Sequence, residues 1–473
     1  MSFRKFALGA CIAFLFVVLI ARPESRPQNL MRDFNAFYCA GKTIAQHADP
    51  YRNEPLGACE RSEPRPDFLE SGPASLAVPA PLPGYALAPF ALLALLPYGL
   101  AAGVWTCMLL ASFALTIHWL RALTTLPLYA IVASLALSDG YVGVTLGQIA
   151  PLAIAAAVGA AYAIARKKTL LAACAGATAM LEPHIGLPAC IALAAFRPRT
   201  IAPLALLGTL CAWLSLALLG AQENIEYFTS VIGSHALSET LNVKQLSLTT
   251  LLAHAGFPAL LAVRIGTLWY AAMILAGIAI GRRTARRLER PALAVLLPVA
   301  FAMIGGPFVH IAQIAAVLPA ALLLADAPPK SKIAAISIML LAVPWPQFAT
   351  LGTSFPIFAA LTAGTLAFYL LPATPTWRIM PPLLTLVLTQ MPTQLLTPIA
   401  DPSARLRVLY DPHALAQTSW SAYVALVGTQ NNAAYDLARI PTLLGLVSFL
   451  YAVCRIMQAK RIPDPQKAHP RQG

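Results

Sequence analysis

The chain has 473 residues, 58% of them hydrophobic and 11% charged, and a mean hydropathy of +0.69. Soluble domains carry roughly a quarter charged residues, so this composition excludes a large soluble core and implies a membrane protein. The net charge of +14 is split into short clusters between apolar runs, which fits the positive-inside pattern and gives no single patch for nucleic acid.

The N-terminal run 6–21 follows a basic start, as in a signal peptide, but it is long for a signal core and no A-x-A site follows. We read it as a retained first transmembrane helix. A helix needs about 20 apolar residues to cross a bilayer. Further candidate spans are 100–120, 127–141, 148–165, 169–182, 184–196, 200–220, 258–280, 291–305, 308–325, 332–350, 355–371, 378–398 and 440–458. Short neighbours such as 169–182 and 184–196 can pair as half-buried hairpins. The expectation is an all-α, polytopic integral membrane protein with roughly 11 to 14 transmembrane helices.

With the N-terminus inside, the basic groups at Arg121, 166–168, 197–199, 281–290, 330–332, Arg378 and 460–471 all fall in the cytoplasm. Residues 1–458 then form a single polytopic domain, followed by a disordered cytoplasmic tail, 459–473. Three polar segments, 22–84, 221–257 and 399–439, fall outside and hold most of the acids and histidines. The apolar run 84–98 contains Pro89 and Pro97 and reads as an interfacial helix or a segment that dips in and out. Cys39 and Cys59 lie in the first polar loop; their spacing leaves a disulfide open, because sequence does not give the geometry it needs. The other six cysteines show no C-x-x-C.

In the first loop, Asp33 lies about twelve residues past the first span. Helical spacing in DFNAFYCAG places Asp33, Phe37 and Ala40 on one side. Asp33 reads either as a helix N-cap or as a carboxylate with a raised pKa that takes a proton from an alcohol. Asp33, Asp139, Glu182, His184 and His310 gather at the outer ends of spans, and helix centres stay apolar. That pattern favours a site at the outer interface over a path through the membrane.

Residues 33–51, DFNAFYCAGKTIAQHADPY, resemble the first-loop motif of glycosyltransferase family 87: an acid, an aromatic-rich turn, Ala-Gly, then Pro-Tyr. Similar stretches follow in order. They are LPGYALAPFALLALLPYGLAAGVW (82–105), with Pro-Gly-Tyr-Ala in place of the family's Tyr-Pro-Pro type, and LGQIAPL (146–152), like its Gly-Gln motif. LEPHIGLP (181–188) has Glu182 where a lysine is usual, and GGPFVHIAQIAAVLPA (305–320) is similar to the late proline–histidine motif. The likeness covers residues 1 to about 325.

The resemblance implies a GT-C-type helical bundle with periplasmic loops, in the bacterial inner membrane, with its active site facing the periplasm. It implies a polyprenyl-phosphate-linked sugar donor, a hexose with mannose the family precedent, and a lipid or glycan acceptor beside the membrane lipids. Such a donor needs no nucleotide-binding fold, and no G-x-G-x-x-G unit is visible. Asp33 is then the general base of an inverting displacement and His310 the group that meets the leaving phosphate. Gln148, Lys244, Gln245 and Arg264 are candidates for sugar or phosphate, against ordinary roles as helix cap, solvated loop or snorkelling cation. Tyr38, Tyr51 and Tyr85 are candidates for stacking on sugar, against membrane-interface aromatics.

Glu182 and His184 complete the substrate-binding set. Pro183 between them breaks regular helix spacing, and no H-E-x-x-H, Asp-x-Asp or dense carboxylate cluster is present, so neither a metal nor a cofactor is expected. A transporter or flippase for a lipid-linked saccharide, and a non-catalytic scaffold, remain the other readings.

Overall fold

The computed structural model describes residues 30–64, 77–240, 242, 244–327, 331–348, 411–428 and 432–458. Among these residues it is all helix; the one β-type contact is an isolated bridge between Arg52 and Leu415. The expected spans 6–21, 355–371 and 378–398 and the tail 459–473 lie outside the described residues.

The first loop folds as α1 (Arg32–Ala45) and α2 (Asn53–Ser62), followed by α3 (Gly84–Leu93) and the long α4 (Tyr98–Leu123). The chain continues through α5 (Leu128–Leu135), a π-helical turn (Ala136–Tyr141) and α6 (Val142–Leu146). Next come α7 (Ala150–Ala165), α8 (Thr169–Ala179), α9 (Pro183–Phe196) and α10 (Ile201–Glu226). A second π-helical turn (Tyr227–Val231) leads to α11 (Ile232–Glu239), α12 (Leu248–His254) and α13 (Ala259–Arg287). The remainder holds α14 (Leu293–Gly305), α15 (Ile311–Ile314), α16 (Leu318–Asp326), α17 (Lys332–Leu341), α18 (Trp345–Phe348), α19 (Ala416–Gly428) and α20 (Asn432–Gln458).

Five of the described helical stretches are long and apolar enough to cross a membrane: Tyr98–Leu123, Leu128–Leu146, Pro198–Glu239, Ala259–Arg287 and Ala438–Gln458. The first, α4, runs past the expected 100–120 at both ends. The stretch Pro198–Glu239 has 42 residues, about 63 Å of helix, twice what a hydrocarbon core of about 30 Å accepts. It turns at Gly220, whose φ of 82° a Cβ would resist. The residues beyond Gly220 therefore leave the direction of the span and join the polar end.

Burial is arranged as lipid requires. α7 and α14 are buried almost throughout, and the alanines and Gly159 of α7 let neighbouring helices approach closely. Peripheral α10 and α13 instead expose Leu206, Leu210, Trp213, Leu268 and Leu275. Apolar side chains of that size, set on helices whose backbone bonds are satisfied internally, suit a lipid surround.

The bundle has two chemically distinct ends. At one, Arg290 donates to Asp326 Oδ2 at 2.8 Å, Thr125 N donates to the same oxygen at 3.0 Å, and Arg287 donates to the Met457 carbonyl at 2.8 Å. This is the end of the basic clusters. At the other, the three polar segments meet. Asn53 N donates to Ala414 O, Glu54 N to Pro412 O and Ala416 N to Tyr51 O, while Arg52 pairs with Glu226. α11 packs against α19. The piece 411–419 therefore lies on the first loop rather than apart from it.

Cys39 and Cys59 form a disulfide, with Cα atoms 5.6 Å apart, and so tie α1 to α2. Asn35 Nδ2 reinforces the tie by donating to Pro64 O at 2.6 Å, as does the Lys42–Glu63 pair at 3.2 Å. Replacing both cysteines by alanine is expected to lower stability by about 2–4 kcal/mol, read as an earlier unfolding midpoint in detergent. An unchanged midpoint would show that the α1–α2 packing alone fixes the loop.

Candidate active site

The site begins at the N-terminus of α1. Phe34 and Tyr38, four residues apart on one face, enter an aromatic cluster with Phe90, Tyr98 and Trp105, at ring separations from 4.8 to 6.2 Å. That cluster anchors α1. Gly41 lets α1 rest on the backbone of α3: a Cβ there would stand 2.3 Å from the Phe90 carbonyl carbon. The Ala-Gly pair of the first-loop motif thus has a packing cause.

Residues 145–149 close over the start of the same helix. Met31 N donates to Thr145 O at 2.8 Å and Trp105 Nε1 to Gly147 O at 2.9 Å. Gly147 has φ 69°, and a Cβ on it would lie 2.7 Å from Phe34 Cβ. Glycine is therefore required twice over, by conformation and by space. The turn it makes directs Gln148 Nε2 onto Asp33 Oδ2. Asp33 is in the first turn of α1, whose N-cap is Met31, so it is not the helix N-cap.

Asp33 is hemmed in by protein yet keeps part of its surface open. Burial pushes its carboxyl above the usual 3.8; the Gln148 amide, then His310, Arg32 and Lys244, pull it back. These groups come from four separated parts of the chain and converge on one carboxylate. Asp139 sits on the first π-helical turn, buried, with neither carboxylate oxygen partnered among the described residues. That turn packs against α15.

A polar chain runs on from His310. Gln245 Nε2 lies 3.1 Å from His310 Nδ1, and its Oε1 accepts from Val309 N at 2.6 Å. Gln245 Nε2 also donates to Glu239 Oε2, joined there by Asn242 Nδ2 at 2.8 Å. On the other side, His310 N donates to Gln313 Oε1 at 2.8 Å, and Gln313 Nε2 donates to Glu182 Oε1 at 3.1 Å. His184 Nδ1 is 3.2 Å from that same oxygen. Pro183 does not disrupt this pair: it opens α9 at the first position, where its missing N–H costs nothing. Glu182 is the residue before it and His184 the one after.

The expected site residues therefore separate. Asp33, Gln148, His310 and Lys244 share one electrostatic neighbourhood, and Gln245, Glu182 and His184 belong to the chain through His310. Tyr85 is half-buried and donates to Met180 O at 3.0 Å, near Glu182. Tyr38 and Tyr51 are buried, their hydroxyls donating to Leu96 O at 2.9 Å and Leu82 O at 2.7 Å. Arg264 stands exposed on α13, outside the chain of polar contacts.

Sequence reading passed over His235, Glu239, Asn242 and Gln313. The first two had a signal: the spacing H-x-x-x-E puts both on one face of a helix. His235, Glu239 and His310 offer ligand atoms that all lie within 4.8 Å of one another, and are the group among the described residues able to hold a metal ion.

An all-α bundle with five helices long and apolar enough to cross a membrane is that of a polytopic membrane protein, and its polar end brings an acid, an amide and imidazoles together. Residues 83–305 match the family model described as Glycosyltransferase family 87. That match, over just under half of the chain, is to the family its motifs resemble, and it indicates a membrane glycosyltransferase. No curated protein and no solved structure matches the chain.

Proposed function

We propose that the protein transfers a hexose, mannose being the first to test, from a polyprenyl-phosphate carrier to a lipid or glycan acceptor at the periplasmic face of the bacterial inner membrane. The observation that carries this reading is the convergence on Asp33 of Gln148, His310 and Lys244, at the end of the bundle opposite the basic clusters. The Cys39–Cys59 disulfide at that end supports an oxidising compartment there.

In the reaction, the acceptor hydroxyl oxygen attacks the anomeric carbon as the bond from that carbon to the phosphate oxygen breaks. The hydroxyl proton passes to Asp33, and polyprenyl phosphate leaves with the bonding pair. One displacement inverts the anomeric centre. A carboxylate whose pKa is raised is a stronger base than an ordinary one, which suits proton transfer from an alcohol. His310 and Lys244 meet the negative charge that builds on the phosphate. Gln148 orients Asp33. Glu182 and His184 extend the polar wall toward the sugar, with Tyr85 beside them. We assign Tyr38 and Tyr51 to packing, and Arg264 to lipid headgroups at the membrane surface.

Asp33 works as a base only when ionised, so rate falls as pH drops through its folded-state pKa. Gln148 donates to the charged form and lowers that pKa. Gln148→Leu is therefore expected to move the acid limb of kcat/KM to higher pH. A limb that stays in place would separate Gln148 from the base.

Mass spectrometry of membrane lipids and surface glycans, in cells with and without the protein, tests the function. Loss of one hexose from a lipid or glycan, with its polyprenyl-phosphate donor accumulating, is the expected result. A flippase would instead carry intact lipid-linked saccharide across sealed vesicles and form no new glycosidic bond.

A further inference from the structure

We propose that His235, Glu239 and His310 bind a divalent zinc-type cation, as a His-Glu-His site with an open position facing Asp33. This deepens the proposed function, on which the role of the ion rests; the binding itself does not depend on it.

The carboxylate of Glu239 is buried, yet the hydrogen bonds it receives among the described residues come from two neutral amides, Gln245 and Asn242, both on Oε2. Burying a carboxylate without a cation is costly. The groups beside it are two imidazoles. His310 Nε2 stands 3.8 Å from Oε2. His235 is one helical turn back on α11, nine-tenths buried, and its Nδ1 has no hydrogen-bond partner among the described residues.

A buried imidazole, a buried carboxylate and a second imidazole, each offering one ligand atom within 4.8 Å of the others, form the two-His, one-carboxylate set found at catalytic zinc. The amides of Gln245 and Asn242 fix the carboxylate, as outer-sphere partners do around metal ligands. The Phe308 ring stands edge-on to His235 at 4.8 Å and walls the site on one side with hydrocarbon.

Two neutral imidazoles and one carboxylate leave a divalent ion with a net charge of +1. Its open coordination position would take an oxyanion, and the donor phosphate is the oxyanion the reaction brings. His310 would then meet the phosphate through the ion. Because His310 acts on the charge of Asp33, the ion would stand on the leaving-group side of that base.

The test uses the full chain, purified in detergent without a polyhistidine tag, stripped with a chelator and titrated with zinc or cobalt. We expect about one equivalent of zinc per chain and a cobalt absorption spectrum of low-symmetry, tetrahedral type. Added zinc should raise the melting temperature. His235→Ala and Glu239→Gln should lose the equivalent while still melting cooperatively, and Gln245→Leu should weaken binding about 10- to 100-fold. Asp33→Asn should bind zinc as the wild type does, which keeps this result separate from transfer activity. Binding by the wild type no stronger than by cooperatively melting His235→Ala would overturn the site.

Discussion

Replacing Asp33 by asparagine is expected to cut sugar transfer by about 100- to 10,000-fold while leaving the fold at least as stable as the wild type. The two halves of this prediction have one cause. Burial raises the folded-state pKa of Asp33 above its value in the unfolded chain. Between those two values the folded state holds the proton more firmly, so stability falls as pH rises through that window. Above that window the ionised side chain costs stability, and a neutral isostere removes the cost. Melting in detergent and transfer in proteoliposomes read the two quantities separately. A variant that loses both in proportion would make Asp33 a structural residue.

Gly41→Ala is expected to be the most damaging small substitution in the first loop. Its new Cβ would meet the Phe90 carbonyl carbon at 2.3 Å, the oxygen at 2.4 Å and Ala91 N at 2.6 Å. All three are backbone atoms, so no side-chain rotation relieves the clash and α1 must lift from α3. Overpacking of this kind costs about 1–3 kcal/mol or more. α1 carries Asp33, so activity should fall beyond what the lost stability explains. Gly99 provides the control: nothing lies within 4 Å of its Cβ position, and Gly99→Ala should be neutral or slightly stabilising, since alanine favours helix over glycine. Equal effects from the two substitutions would show that the α1–α3 contact does not hold the site.

Much of the architecture was legible because lipid imposes a simple rule. Apolar runs marked α4, α7 and α14 to within three residues and the start of α13 to within one, and the alternation of basic clusters with polar segments marked the two ends. Pro183 was harder. In sequence it separates Glu182 from His184, but in the fold it starts α9 and leaves both beside Gln313. The reach of Pro198–Glu239 past the expected 200–220 was hidden because its second half is too polar to read as a span. Composition does not register a helix that turns at a glycine and continues along the polar end.

The site was legible in its parts and not in its joins. Asp33 stood out as an acid about twelve residues past the first apolar run, at the start of an aromatic-rich stretch. Its hydrogen bond to Gln148 crosses 115 residues, and no local pattern reports a contact of that range. His235 and Glu239 had a helical spacing, but a lone pair of that kind is common on solvated helices. The third member, His310, arrives from α15, after α13 and α14 have intervened. The Cys39–Cys59 pair was open in sequence for the same reason: distance along the chain carries no angle.

The central claim is a single displacement on a lipid-carried sugar, assisted by Asp33. Its most direct test is transfer by the purified chain in proteoliposomes, offered a polyprenyl-phosphate hexose or the matching nucleotide hexose, with the product's anomeric configuration read by NMR. The account predicts transfer from the lipid-linked donor alone, inversion at the anomeric carbon, and loss of the product in Asp33→Asn. Transfer directly from the nucleotide sugar, or a product of retained configuration, would contradict it.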